Sequence, residues 1–186
     1  MAMNAKDKAV IRGLASEIAE LAALPVQDEK RRLWRALNSK RPERPMVMID
    51  QVCWNELASS GELTPQCDDP DCRGYETALR RQLYQWRHFP VDMVIEPFIR
   101  VPMAIRNSGF GIGVEEETAT VDPENAVISH KYGNQFKTDD DLEKIRTPVV
   151  SHDRAETDRR LDLAHDLFDG IIDVKPWGAD PYLGIW

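Results

Sequence analysis

The chain of 186 residues is long enough to bury a sizeable core and has the length of about one domain. Hydrophobic residues make up 42% of it and charged residues 30%, a globular composition that excludes a disordered or fibrous chain. With 24 Lys and Arg against 32 Asp and Glu, the net charge is −8. A nucleic acid or an anionic membrane surface is therefore excluded as the expected main partner, because both require a basic surface.

The sequence also indicates where the protein works. It contains no apolar run approaching the roughly 20 residues that span a bilayer, and its first ten residues lack the apolar core of a secretory signal. The three cysteines, Cys53, Cys67 and Cys72, are an odd and sparse set that fits reduced thiols better than a disulfide framework. We therefore expect a cytoplasmic protein.

Apolar residues at helical spacing predict four main helices. The first covers about residues 7–23 and the second about residues 28–37. Asp69 followed by Pro70 is typical of the start of a third helix, because Asp caps a helix and Pro fits its first turn. The fourth runs over about residues 153–168.

Three short apolar runs predict buried strands of a parallel sheet. They cover residues 46–49, 92–95 and 171–174. Before the last of them, Thr138 and Asp141 form a weak capping box for a short helix. Helices that alternate with strands are typical of an α/β protein.

Three parallel strands are too few to close a barrel, and the apolar segment 181–186 has nothing after it to cover it. We therefore expect an α/β fold that is the N-terminal part of a TIM-type (β/α)8 barrel, or a chain that a partner completes. Residues 1–44 would be a helical N-terminal extension. Residues 45–186 would be the first three strand–helix units of the incomplete barrel.

Four features of the sequence match one known family when they are taken together. They are the segment from Asp92 to Ala104, Gly109 after it, the Asp-Leu-Glu-Lys-Ile of residues 141–145, and the lead-in over residues 31–47. With these features the chain resembles the uroporphyrinogen decarboxylase-like superfamily. The resemblance covers most of this chain but only about the first half of such a barrel.

The resemblance implies one of two reactions: decarboxylation of porphyrinogens or, more often among divergent members, methyl transfer to or from a corrinoid or a thiol. True decarboxylases hold their substrate's carboxylates with an Arg-rich loop after the first strand. Here residues 50–56 contain no Arg, and carboxylates bind poorly without cations. We therefore expect a corrinoid- or thiol-dependent methyltransferase acting on a small methylated substrate, with decarboxylation of a carboxylated substrate as the alternative.

The resemblance also implies cofactors and partners. Zinc and cobalamin are implied for the full barrel, with neither bound by this segment alone, because the family's zinc ligands lie in later strands. A corrinoid protein is the implied protein partner. A different class stays open: a truncated half-barrel, inactive alone, that works by pairing with the rest of the barrel or as a homodimer.

In a parallel α/β barrel the chemistry lies at the carboxyl ends of the strands. That rule selects Glu96 and Asp50 as candidate catalytic carboxylates, each able to act as an acid or base if burial raises its pKa. The alternatives are an ion pair of Glu96 with Arg100 or Arg106, and a helix cap by Asp50. The candidate substrate-binding residues are Gln51, Trp54, Phe98, Arg100, Arg106, Asn107 and Trp177.

Two further motifs point to simpler roles. Cys67 and Cys72 flank three carboxylates, but no second ligand pair completes a zinc site, so no metal ligand is assigned here. Gly109, Gly111 and Gly113 lack the flanking strand and helix of a dinucleotide fingerprint, and three glutamates follow them. An irregular turn, or a loop that approaches a ligand closely, is the expected role of these glycines.

Overall fold

The computed structural model describes residues 4–58, 61–120 and 128–178, and it combines helices with small two-stranded sheets. Segment 181–186, predicted to be an uncovered apolar tail, lies outside these residues. The described α-helices are α1 (Ala5–Ala22), α2 (Pro25–Asn38), α3 (Trp54–Leu57), α4 (Pro70–His88) and α5 (Arg154–Phe168). The described strands are β1 (Phe98–Pro102), β2 (Ile105–Asn107), β3 (Glu116–Ala119), β4 (Ser129–Tyr132), β5 (Val150–His152) and β6 (Asp173–Trp177).

The contacts between residues divide the chain into two compact units. The first unit comprises Met1–Val101 and Arg160–Pro176, and the second comprises Pro102–Arg159 and Trp177–Trp186. A boundary after residue 44 stays a prediction of the family resemblance.

The core of the first unit forms where α1 packs against α4. Along α1 the apolar positions recur at helical spacing and face inward, as the sequence predicts. Phe168, at the end of α5, is fully buried. Its ring makes an edge contact with the ring of Tyr75, with 5.3 Å between the two centroids. The buried apolar side chains of this core include Ile11, Ala15, Ile18, Cys72, Leu79, Leu83, Ile95, Val101, Leu167 and Phe168.

The helix ends follow the local signals in the sequence. Asp69 caps α4 by accepting a hydrogen bond from the backbone N–H of Cys72 at 3.0 Å, and Pro70 is the first helical residue, which confirms that prediction. The capping box of Thr138 and Asp141 is also present, at the start of a 3₁₀ helix over Asp139–Lys144.

Two predicted strands are wrong. Neither residues 46–49 nor residues 92–95 are in a strand, although Val47 and Asp92 lie side by side. Asp92 donates its N–H to the Val47 carbonyl at 3.0 Å, and its carboxylate accepts the Val47 N–H at 2.8 Å. The Asp92 carboxylate therefore replaces the second backbone hydrogen bond that two paired strands would form at this position. The third prediction, over residues 171–174, only overlaps β6.

β1 pairs with β6, and the bonds at the two ends of the pair give its direction. Asp173 donates its N–H to the Pro97 carbonyl at 3.0 Å, and Met103 donates to the Trp177 carbonyl at 2.8 Å. Both partners advance in the same sense, so the strands run parallel, with α5 in the connection between them. The fold is thus mixed α/β, and the described residues contain no barrel.

The second unit is built from antiparallel pairs. Ile105 of β2 lies opposite His152 of β5, and Glu116 of β3 lies opposite Tyr132 of β4. Ala104 is its only buried apolar residue within the described part of the chain. Hydrogen bonds rather than a core therefore hold this unit. Among residues 102–120, 128–159 and 177–178, the exposed large apolar side chains are Phe110, Val114, Ile128, Tyr132, Phe136, Leu142, Ile145, Val149 and Val150.

The packing of α1 predicts a clear mutational contrast. Ile18→Ala removes a side chain that is 1% exposed, so we expect the free energy of unfolding to fall by roughly 2–5 kcal/mol. Glu20→Ala on the exposed face of the same helix is the control, with an expected change within about 0.5 kcal/mol. Urea denaturation measures both, and equal effects would contradict this packing.

A second prediction concerns acid stability. Hydrogen bonds from Arg44 and from the Val47 N–H lower the pKa of Asp92 to about 2. Because the folded pKa lies below the unfolded one, this stabilisation is present above about pH 4 and is lost as the pH falls towards 2. Asp92→Asn should therefore cost on the order of 2 kcal/mol at pH 7 and progressively less below pH 4.

Chemical denaturation of both proteins across this pH range provides the measurement. Asp28→Asn is the control, because the Asp28 side chain is 86% exposed. A deficit of the Asp92 variant that stays constant down to pH 2 would contradict the charge-based explanation.

Candidate functional site

Asp50, Gln51 and Trp54 lie together in a segment that packs on α4. The Trp54 ring makes an edge contact with Tyr84, with 6.3 Å between centroids. The side-chain amide of Gln85 donates to the carbonyl of the residue before Asp50 at 2.5 Å. No side chain caps α3, so the structure does not give Asp50 the capping role. Asp50 and Gln51 are exposed and accessible to a ligand.

Glu96 forms its ion pair with an arginine from α2. Arg31 donates to the Glu96 carboxylate through Nη2 at 2.9 Å and through Nε at 3.2 Å. The same guanidinium donates to the Ile95 carbonyl at 3.1 Å. Gln27 lies one helical turn before Arg31 on α2 and is fully buried. Its side-chain oxygen accepts the Ile95 N–H at 3.0 Å, so α2 binds the segment before β1 at two points. The partner is therefore Arg31, and not Arg100 or Arg106 as the sequence suggested.

This placement puts Glu96 before β1, at the amino end of the strand. In parallel α/β folds, ligands bind at the opposite end, where the strands finish. The sequence placed Glu96 at a carboxyl end because it assigned the strand to residues 92–95. A catalytic role for Glu96 stays a prediction. The contacts with Arg31 give Glu96 a structural role as well.

Phe98 and Arg100 lie on β1 beside a lysine of β6. The Lys175 ammonium is 3.8 Å from the centroid of the Phe98 ring, and the Arg100 guanidinium is 5.8 Å from it. Both distances are typical of cation–π contacts. The Phe98 ring thus supports two cations at the surface of the first unit.

The remaining candidates, Arg106, Asn107 and Trp177, belong to the second unit. The Arg106 side chain is 79% exposed, and its Nη2 lies 3.3 Å from the Asp153 carboxylate. Asn107 accepts the Gly109 N–H through its side-chain oxygen at 2.9 Å. Trp177 is half-buried and ends β6.

The carboxyl ends of β1 and β6 meet the start of α5. Met103, directly after β1, bonds to the Trp177 carbonyl at the end of β6. Ala104 donates its N–H to the Thr157 hydroxyl at 2.9 Å, and its carbonyl accepts the Asp153 N–H at 2.8 Å. Three chain segments are thereby joined at the end of a parallel pair where chemistry is expected.

Thr157 also contacts His152, a residue that the sequence did not single out. The hydroxyl is 2.9 Å from His152 Nε2 and 2.9 Å from the Asp153 carbonyl, and Thr157 is 5% exposed. The spacing of five residues from His152 to Thr157, across the start of a helix, is the only sequence signal for this pair. It is too common a spacing to identify a site by itself.

The glycine-bearing segment forms a tight turn beside a polar cavity of about 340 Å³. The cavity is lined by both Gly111 and Gly113 and by charged groups that include Glu115, Lys137 and Lys144. Gly111 has a φ of +83°, and a Cβ there would lie 2.8 Å from the Lys144 carbonyl. The close approach that requires glycine is thus to the chain's own backbone.

Cys67 and Cys72 are buried thiols. Burial is the main cause that raises the pKa of Cys67 to about 12 and that of Cys72 to about 11. Fully buried Glu76 binds the Gln66 and Cys67 N–H groups at 2.8 Å and the Arg80 side chain at 2.7 Å. Although burial favours its neutral form, these bonds hold the pKa of Glu76 below its usual range.

The described residues contain no group of three or more His, Cys, Asp or Glu able to hold a metal ion. These residues therefore offer no ligand set for zinc. The same described part of the chain contains no helix long and apolar enough to cross a membrane.

No family model, curated protein or solved structure matches the chain.

The Arg31–Glu96 contact predicts a measurable coupling. Glu96→Gln should lower the free energy of unfolding by about 0.5–1 kcal/mol, since the carboxylate is 40% exposed and the pair is screened by water. A double-mutant cycle with Arg31→Ala isolates the pair. Arg32, on the same helix but paired with Glu29 and Glu43, is the matched control and should show no coupling with Glu96.

Proposed function

We propose that this chain is the N-terminal part of a TIM-type (β/α)8 barrel of the uroporphyrinogen decarboxylase-like kind. The observation that supports it is the parallel unit of β1, α5 and β6, with residues 103–153 inserted after the carboxyl end of β1. Strand–helix–strand units of this kind build barrels, and segments that follow the strands carry their active sites.

Within this proposal the protein is a corrinoid- or thiol-dependent methyltransferase for a small methylated substrate. When bound elsewhere in the full barrel, a corrinoid would supply or accept the methyl group and zinc would lower the pKa of a thiol. In transfer to a thiol, the sulfur loses its proton and forms a bond to the methyl carbon. The bond from that carbon to the donor breaks, and its electron pair stays on the donor.

The chain's own residues would bind the substrate and shield it from water. Trp177 offers an apolar wall at the end of β6, and Arg106 and Asn107 offer polar contacts on β2. Asp50 and Glu96 belong to the first unit and are proposed on their own as candidate carboxylates. The missing cations in residues 50–56 favour methyl transfer over decarboxylation.

One observation supports the decarboxylase alternative. The Arg106 side chain is 79% exposed, and its guanidinium lies 3.3 Å from the Asp153 carboxylate. An exposed guanidinium near a strand end is a good anchor for a substrate carboxylate. Decarboxylation therefore remains the second candidate.

The exposed apolar side chains of the second unit support association. Nine large ones are exposed among the residues of this unit that the structure describes, including Phe110, Val114 and Val149, and exposed apolar surface is typical of an interface. Within the proposal, the rest of the barrel, a second copy or a corrinoid protein covers them. Three cysteines without disulfides, Cys53, Cys67 and Cys72, fit a cytoplasmic location.

The test is a methyl-transfer assay on the whole protein that contains this chain. Purified protein is incubated with zinc, methylcobalamin and 2-mercaptoethanol as probes, and the methylated thiol is measured by mass spectrometry. We expect turnover that Trp177→Ala reduces at least tenfold, because it removes the pocket wall. Lys131→Ala, which removes a side chain of the second unit that is 79% exposed, is the control and should retain activity.

A parallel assay with a porphyrinogen measures released carbon dioxide. Release that depends on Arg106 would replace methyl transfer with decarboxylation. Activity in neither assay, together with a stable dimer by light scattering, would overturn both enzymatic proposals in favour of the association role.

A further inference from the structure

His152 differs from the other histidines in what it contacts. The chain has four histidines, and all four lie within the described residues. Three of them face carboxylates at 2.8–3.0 Å: His88 with Glu62, His130 with Glu116, and His165 with Asp169. His152 instead faces the neutral hydroxyl of Thr157, a residue that is 5% exposed. A surface ion pair therefore does not explain the position of this ring.

The hydrogen bonds of Thr157 indicate which nitrogen of the His152 ring carries the hydrogen. A hydroxyl has one hydrogen to donate and two lone pairs to accept. It donates to the Asp153 carbonyl at 2.9 Å and accepts the Ala104 N–H at 2.9 Å. With the hydroxyl hydrogen directed at the Asp153 carbonyl, the second lone pair accepts from His152, which assigns the hydrogen of a neutral imidazole to Nε2 and leaves Nδ1 as an acceptor.

The register of β2 and β5 places other groups around this ring. His152 lies opposite Ile105, and Val150 lies opposite Asn107. Because side chains alternate along a strand, these four share one face of the pair. Asn107 is the diagonal neighbour of His152, at about 7 Å between Cα atoms. Its side-chain oxygen is occupied by the Gly109 N–H, so its amide nitrogen is the group offered to a ligand.

We propose that this face of β2 and β5 is a ligand-binding site for a small hydroxyl- or thiol-bearing molecule. Nδ1 of His152 accepts the ligand's hydrogen, the Asn107 amide donates to a ligand oxygen, and Thr157 is the positioning residue. The exposed Val150 side chain supplies an apolar floor. The face adjoins the segment that follows β1, where ligands of parallel α/β folds bind.

For the reaction, the inference deepens the proposed function and rests on it. His152 is the base that prepares the thiol: the S–H bond breaks, its proton moves to Nδ1, and the electron pair stays on sulfur for attack on the methyl group. The imidazolium then returns the proton to water.

The first experiment needs no knowledge of the reaction. Long-range ¹H–¹⁵N spectra, recorded at a pH where the imidazoles are neutral, report which ring nitrogen of each histidine carries hydrogen. We expect hydrogen on Nε2 in His152 and on Nδ1 in His130 and His165, whose Nδ1 atoms face carboxylates. Thr157→Val should let the His152 hydrogen distribute over both nitrogens, and Thr157→Ser should restore it. Hydrogen on Nδ1 of His152 in the unaltered protein would overturn the proposal.

The second experiment tests binding and function separately. Titration with 2-mercaptoethanol should shift the His152 signals saturably, and Asn107→Ala should weaken this binding severalfold while His165→Gln leaves it unchanged. In the methyl-transfer assay, His152→Gln should lower the rate more than tenfold, with Thr157→Ser close to the unaltered protein.

The outcomes distinguish the two ideas. Saturable binding without methyl transfer would support the site and overturn the proposed function. Methyl transfer that His152→Gln leaves unchanged would support the function and overturn the assignment of His152.

Discussion

Asp173 donates its backbone N–H to Pro97 at one end of the β1–β6 pair, and Met103 donates to Trp177 at the other. These two bonds join segments that are far apart in sequence. The chain between β1 and β6 must therefore leave the strand pair and return to it at neighbouring points. The parallel direction they impose sends residues 103–153 out from the carboxyl end of β1. The chain then returns through α5 to β6. Because Ala104, Asp153 and Thr157 bond to one another at that exit, the strand pair also determines where the candidate site forms.

The helices could be predicted from sequence because their signals are local. Apolar spacing gave α1, α4 and α5, and Asp69 with Pro70 gave the start of α4. Strands depend on partners elsewhere in the chain, and two of the three apolar runs predicted strands that the structure does not contain. Residues 46–49 and 92–95 meet through one backbone bond and the Asp92 carboxylate, which satisfies Val47 without a ladder. β1 begins shortly after the second of these runs, at Phe98, and β6 begins within the predicted run 171–174, at Asp173.

The site was harder to predict for the same reason. Arg106, Asn107 and Trp177 were selected as strand-end residues and do lie just beyond or at the ends of β1 and β6. Glu96 was selected by the same rule, but its strand was misplaced and its partner, Arg31, comes from a helix 65 residues earlier. Thr157 and His152 carry no distinctive local pattern. Their roles emerge only when the bonds to the Thr157 hydroxyl are counted, which requires three-dimensional neighbours.

The second unit has Ala104 as its only buried apolar residue in the described part of the chain, whereas the first unit contains an extended core. Substitutions in the second unit therefore leave few packed neighbours to disturb, provided that its backbone bonds persist. Exposed residues of this unit such as Val150 and Asn107 can change without disturbing a packed core within it. Substitutions on the exposed surface of this unit can therefore accumulate while the first unit keeps its sequence constraints, which separates evolvability from stability along one chain.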